Sequence, residues 1–168
     1  TTRSTTGGLR NPSVPWFSRA VRVHSSFWPW HRVGATKGAG NGLVVQHCLA
    51  FSPGASGYNY FFEGTLNSGK QNVFKNNASI PRSGTNGGGF IEDNSPLEAN
   101  NSWNLAVTVN SADFVSILES AAKAPRQSDG SLPTGFARLV SGSDLIDKGA
   151  NVGLPFNGAA PDLGAFEY

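Results

Sequence analysis

The stretch "QNVFKNNASI" (71–80) places Lys75 directly before Asn76 and Asn77. A lysine next to polar amides is one way to assemble a base beside its ligands. The same stretch has the apolar residues of a strand, Val73, Phe74, Ala78 and Ile80. Asparagine fits a strand poorly, because it favours turns and local backbone bonds. Two readings are therefore open: a lysine site, or a fold that needs asparagine at this point. Arg82 and Arg126 are candidates for gripping carboxylate-bearing ligands through a bidentate fork. Glu92 and Asp93 are adjacent, so on a strand they point to opposite faces, which argues against the paired carboxylates of a glycoside hydrolase. His24, His31 and His47 have neither metal-ligand spacing nor a neighbouring carboxylate. The single Cys48 excludes an internal disulfide and a cysteine-rich zinc site. "TNGGGF" lacks the Lys-Ser/Thr end of a phosphate-binding loop.

The elements that must position these residues are short. The chain has 168 residues, which favours one domain, and its 21 Gly and 15 Asn with only 14% charged residues point to tight turns and an all-β fold. No apolar run reaches membrane-spanning length, and a soluble chain is expected. The net charge of +2 hides an asymmetry: residues 1–62 have six bases and no acid, whereas from Glu63 onward seven bases face eleven acids. Residues 1–36 sustain neither the strand period nor the helix period. Their basic, Ser-rich composition fits a transit peptide or a basic arm for polyanions. It also fits a poorly ordered or foreign segment, which divides the chain into a basic segment, 1–36, and a folded portion, 37–168. A secretory signal is not visible, since no uninterrupted apolar core segment is present.

From about residue 38 the texture changes to strand-like runs separated by Gly-rich turns: 42–51, 58–64, 71–80, 90–94 and 97–105. His47-Cys48-Leu49-Ala50 corresponds to Asn76-Asn77-Ala78-Ser79 at an offset of 29, and Asn76-Asn77 to Asn100-Asn101 at an offset of 24. Such periods indicate a β-solenoid whose coils stack about 4.8 Å apart. His47, Asn76, Asn77, Asn100 and Asn101 are then expected to form a structural ladder at a bend, each amide bonded to neighbouring coils. Lys75 becomes an outward, solvated lysine. Asn77-Ala78-Ser79 and Asn100-Asn101-Ser102 match the glycosylation acceptor pattern, but inward asparagines would be closed to modification. After the coils, "NSADFVSILESAAKA" (110–124) predicts a helix with Ser111 as N-cap and an apolar stripe of Phe114, Ile117, Leu118 and Ala121. Asp144, Asp147 and Asp162 in the tail are expected to bond turn amides rather than a metal.

The tail "DGSLP…FARLVSGSDLIDKG…FNGAAPDLGAFEY" resembles the carboxyl-terminal end of polysaccharide lyase family 9, the pectate lyases with a right-handed parallel β-helix. "SGKQNVFKNNAS" and "NSWNLAVTVNSADFVSI" resemble that family's last coils and the segment after them, and "VVQHCLAF" an earlier coil with His47 where Asn is usual. The resemblance covers about residues 38–168 and implies an all-β fold: a short right-handed parallel β-helix, one helix and an extended tail.

The resemblance further implies a secreted, extracellular enzyme that cleaves polygalacturonate by β-elimination. A lysine of depressed pKa removes the proton next to the uronate carboxylate, and Ca²⁺ held by an Asp cluster neutralises that carboxylate. The acid-free residues 1–62 cannot supply such a cluster, so Ca²⁺ is expected for the family without identifiable ligands here. Lys37, before the turn "GAGNG", is the one candidate base, although the family's flanking Phe and Leu are missing. Arg82 and Arg126 are the candidates for touching the acidic polysaccharide. The expectation is a carboxyl-terminal part with an incomplete catalytic site, no nucleic-acid or membrane partner, and self-association through an exposed solenoid end. A non-catalytic structural or carbohydrate-binding β-helix piece is the alternative, and a polygalacturonase-type hydrolase the third reading.

Overall fold

The computed structural model describes residues 21–23, 42, 44–51, 59–62, 66–80, 89–91 and 97–168. Among them are eight strands of three residues each: β1 (Val21–Val23), β2 (Val44–Gln46), β3 (Leu49–Phe51), β4 (Tyr60–Phe62), β5 (Val73–Lys75), β6 (Ala78–Ile80), β7 (Gly89–Ile91) and β8 (Leu97–Ala99). Every strand pairing is parallel. The sheets run β1-β3-β6, β2-β5-β8 and β4-β7. Successive strands therefore go to different sheets, and each sheet is built by stacking equivalent strands.

The registers match the repeat seen in the sequence. Leu49 pairs with Ala78 and Val44 with Val73, both at an offset of 29, and Val73 with Leu97 at an offset of 24. "GLVVQHCLAF" and "QNVFKNNASI" each prove to be two strands joined by a corner. The corner residue is His47 (φ 48°) between β2 and β3, Asn76 (φ 57°) between β5 and β6, and Asn100 (φ 53°) after β8. This left-handed conformation disfavours most side chains by roughly 1–2 kcal/mol, and Asn and His are among those that enter it most readily. Asparagine at position 76 thus makes a turn that a strand former could not. Strand β1 lies within the segment for which the sequence pattern indicated no regular element; it joins β3 through Val21↔Leu49.

The β3-β6 sheet is buried on both faces. All three residues of β3 and all three of β6 are buried. Since neighbouring side chains on a strand alternate in direction, Leu49 and Phe51 face one way and Ala50 the other. Ala50 packs with Tyr60 and Phe74 inside the stack. Leu49, Phe51, Ala78 and Ile80 pack against Phe114, Phe136, Leu139, Leu145, Leu163 and Ala165 of the tail. The tail is thus the outer wall of a second core.

The predicted helix over 110–124 is replaced by something shorter. A single 3-10 turn spans Ser111–Asp113, capped by Asn110 rather than Ser111, and an α-helix, α1, covers only Glu119–Ala122. Asn110 and Asp113 form a reciprocal capping box. Beyond it the chain is extended, because Phe114 bridges Leu139 and Ser116 bridges Phe136. Pairing of Val115 N with Arg138 O and Ala137 N with Ser116 O satisfies the backbone without a helix. It also turns Phe114 into the core while leaving Leu118 67% exposed, which a continuous apolar helical stripe would not do.

Candidate functional site

The corner builds two columns of side chains with different partners. In the inner column, Asn101 Oδ1 accepts from Asn77 N (3.1 Å) and Asn77 Nδ2 (2.8 Å), and Asn101 Nδ2 donates to Phe74 O and Asn104 Oδ1, both at 2.8 Å. One coil away, Asn77 Oδ1 accepts from Cys48 N (3.1 Å) and Asn77 Nδ2 also donates to Val45 O (3.0 Å). Val45 and Phe74 are register partners, so the two amides repeat one bonding pattern. Both side chains are fully buried and satisfied. Cys48 occupies the equivalent place in the preceding coil, its thiol donating to Gln46 O at 3.3 Å.

The outer column consists of the corner residues themselves, and it holds the tail. Asn76 pairs with Ala150 twice: Nδ2 donates to Ala150 O and Oδ1 accepts from Ala150 N, each at 2.7 Å. Asn100 Nδ2 donates to Lys148 O at 2.7 Å, and Gly164 N donates to Asn76 O at 2.9 Å. His47 Nε2 lies 2.9 Å from Asn76 Nδ2. Gly149 passes so close that a Cβ there would sit 2.7 Å from Pro161 O and 3.1 Å from Asn76 Cγ. The acceptor-pattern asparagines are therefore occupied: Asn77 is buried within the stack and Asn100 is bonded to the tail.

Tail carboxylates serve backbone amides. Asp147 accepts from Ala159 N and Ala160 N, Asp162 from Asp147 N and Tyr168 N, and Asp144 from Thr108 N. Buried Asp113 accepts from Asn110 N and from Ser143 Oγ. Among the described residues no three His, Cys, Asp or Glu side chains are grouped so that they could hold a metal ion. A Ca²⁺ site wants six to eight converging oxygens. Carboxylates already engaged one by one with amide donors do not fit that ion.

Inside the stack, the Tyr60 hydroxyl lies 2.9 Å from Cys48 O and 3.2 Å from Ala78 O. Burial, reinforced by Cys48, pushes this phenol well above its ordinary range. Its ring packs on Trp103, centroids 4.9 Å apart. Asn59 Nδ2 reaches Ser79 Oγ at 2.9 Å and Ile80 O at 2.7 Å. This polar interior escaped the sequence reading; "YNYFF" signals only a strand, although an Asn between aromatics hints at a buried amide.

Of the sequence candidates, Lys37 and Arg82 lie outside the described residues. Arg126 is exposed, shortly after α1. Lys75 is half-buried at the end of β5, and its carbonyl accepts from His47 N. The structure brings together His47, Asn76 and Asn100 as corner residues and Asn77 and Asn101 as the inner column. Among the described residues no helix is long and apolar enough to cross a membrane.

No family model matches the chain. Two curated relatives do: pectate lyase L of Dickeya chrysanthemi and pectate lyase L of Dickeya dadantii (strain 3937), each 38% identical over 114 residues, which is 67% of this chain. The chain is a homologue of pectate lyases. It corresponds to a carboxyl-terminal part of one and spans 25% of the length of each of these two relatives. The crystal structure of pectate lyase Pel9A superposes with a TM-score of 0.62 at 31% identity, over 81% of this chain and 32% of that one. The parallel sheets that carry the corner columns are thus a fold shared with part of a pectate lyase structure.

Proposed function

We propose that this chain provides the closing coils and covering tail of a pectate lyase that cleaves polygalacturonate by β-elimination. In that reaction a base removes the proton on the carbon bearing the uronate carboxylate. The electron pair forms a ring double bond, and the glycosidic oxygen leaves. The 38% identity to pectate lyase L carries this reading. Calcium dependence and an extracellular place of action come with it. So does a closed, right-handed solenoid, supported by the rotation of β2, β3 and β4 through three parallel sheets.

Residues 37–168 are the lyase portion in this proposal, with Arg82 and Arg126 as polysaccharide contacts and Lys37 as candidate base. The described carboxylates do not form a calcium cluster, so a complete site would draw its metal ligands from residues beyond them. The test is release of unsaturated, ultraviolet-absorbing product from polygalacturonate, with and without Ca²⁺. Product that requires Ca²⁺ supports the lyase reading. Saturated product would favour a hydrolase instead, and binding of polygalacturonate without product would favour a non-catalytic carbohydrate-binding piece.

A further inference from the structure

We propose that Asn157-Gly158 is a self-modifying site: Asn157 converts to isoaspartate without an enzyme, and the change frees the turn 158–160 from Asp147. The chemistry needs a main-chain nitrogen able to reach the side-chain carbonyl carbon of the residue before it. Gly158 N bonds to Asn157 Cγ and gives its proton to the departing NH₂, which leaves as ammonia. The product is a cyclic succinimide. Water then opens the ring at either carbonyl, giving aspartate or isoaspartate. Ammonia is released and water consumed, so nothing else is required. Loss of the amide nitrogen's proton starts the reaction, and its rate therefore rises with pH.

The described asparagines differ in how open they are to this attack. Asn76, Asn77 and Asn101 are fully buried, have both ends of the amide bonded, and precede residues that carry a Cβ. Asn157 is exposed, and its Nδ2 reaches Tyr168 O at 3.5 Å, beyond the usual hydrogen-bond range. It heads the one Asn-Gly pair among the described residues; Asn41 and Asn86, which also precede glycine, lie outside them. Gly158 is exposed at φ 83°, its N–H donates to no described backbone oxygen, and no Cβ shields the nitrogen. The turn that follows has no slack. Asp147 Oδ1 accepts from Ala159 N at 2.8 Å and from Ala160 N at 3.0 Å, and it lies so close to Gly158 that a Cβ there would collide with it. Isoaspartate adds a methylene to the main chain between 157 and 158, which moves both amides off the carboxylate.

Ageing the full chain in mildly alkaline buffer, then peptide mapping by mass spectrometry with fragmentation that distinguishes isoaspartate, tests the first step. The peptide containing Asn157 is expected to gain the mass of an amide-to-acid exchange before those containing Asn67 and Asn110, which are exposed but precede serine. Asn157→Gln is expected to abolish the product, because its side chain is one carbon too long for a succinimide. An Asn157 that stays an amide while Asn67 or Asn110 converts would overturn the site. Amide hydrogen exchange on the separated isoaspartate form tests the second step. Protection of Ala159 and Ala160 is expected to fall about tenfold, as for loss of a bond to a carboxylate, with Ala78 unchanged. Asn157→Asp carries the same charge on an ordinary main chain and is expected to stay within about threefold of the original. Unaltered protection in the isoaspartate form, or an equal fall in Asn157→Asp, would refute the release.

Discussion

Asn76 and Ala150, 74 residues apart in the chain, are joined by two hydrogen bonds of 2.7 Å that use both ends of one side-chain amide. A side chain here imitates a strand neighbour: it offers the tail one donor and one acceptor in the spacing of a peptide unit. The corner and its cover are thereby bonded to each other at a buried residue, beside the Asn100 bond to Lys148 O.

Asn76 combines two contributions that can be separated. Asn76→Gly keeps the left-handed corner but removes the amide, and is expected to cost about 1–3 kcal/mol. Asn76→Ala removes the same bonds and adds a Cβ at φ 57°, for roughly a further 1 kcal/mol. Urea unfolding of both variants checks the order. Equal stabilities would show that the corner is not strained for alanine.

The inner column predicts a larger loss for a substitution of similar volume. Asn101→Leu leaves Asn77 N and Phe74 O without their partner and strips one bond from Asn77 Nδ2. The expected destabilisation is about 3 kcal/mol or more, since buried polar groups left unsatisfied cost about 1–3 kcal/mol each. Thermal or chemical denaturation measures it. Asn104→Ala, at an exposed position, should cost far less.

Gly149→Ala tests how tightly the tail lies on the corner. The new Cβ meets backbone, Pro161 O, at 2.7 Å and therefore cannot be accommodated by a side-chain swing. A loss of about 1–3 kcal/mol is expected, as for overpacking elsewhere. Faster proteolysis of the tail, with little change in the exchange of β5 and β6 amides, would locate the damage.

Tyr60 predicts an alkaline dependence. Its phenol is raised in the folded chain, so the unfolded chain ionises first. The stability is fully present below about pH 10, the ordinary phenol value, and declines as the pH rises above it. Tyr60→Phe should lower stability at neutral pH by about 1 kcal/mol, because it removes the hydroxyl near Cys48 O and Ala78 O. It should also flatten the alkaline slope. Unfolding curves between pH 8 and pH 11 decide this.

The stacking was legible in the sequence because a corner needs particular residue types at fixed spacing. The offsets of 29 and 24 linking His47, Asn76 and Asn100 are the strand registers themselves. What each asparagine does was not legible. Asn76 and Asn77 are neighbours of one type, yet one turns the chain and faces the tail while the other lies within the stack. The 110–124 stretch misled because its apolar spacing suits a helix in isolation. The competing partner, 136–140, is remote in sequence and pairs with it in extended form. Nor could the sequence reveal that β3 and β6 are covered on their outer face, since the cover comes from residues as distant as Leu163 and Ala165. For the chemical site, Lys37 and Arg82 lie outside the described residues, and Arg126 stands exposed after α1.

The registers also show where this architecture can change in length. From β3 to β4 and from β6 to β7 the connections are equal, because Leu49↔Ala78 and Tyr60↔Gly89 share one offset. The offset then drops from 29 at Tyr60↔Gly89 to 24 at Val73↔Leu97, so all five residues of difference fall between β4 and β5 as against β7 and β8. The edge that carries this connection therefore absorbs a change in length, while His47, Asn76 and Asn100 keep the corner in one left-handed conformation. For a designer, that edge is the place to graft a loop, and the corner is the place to leave alone.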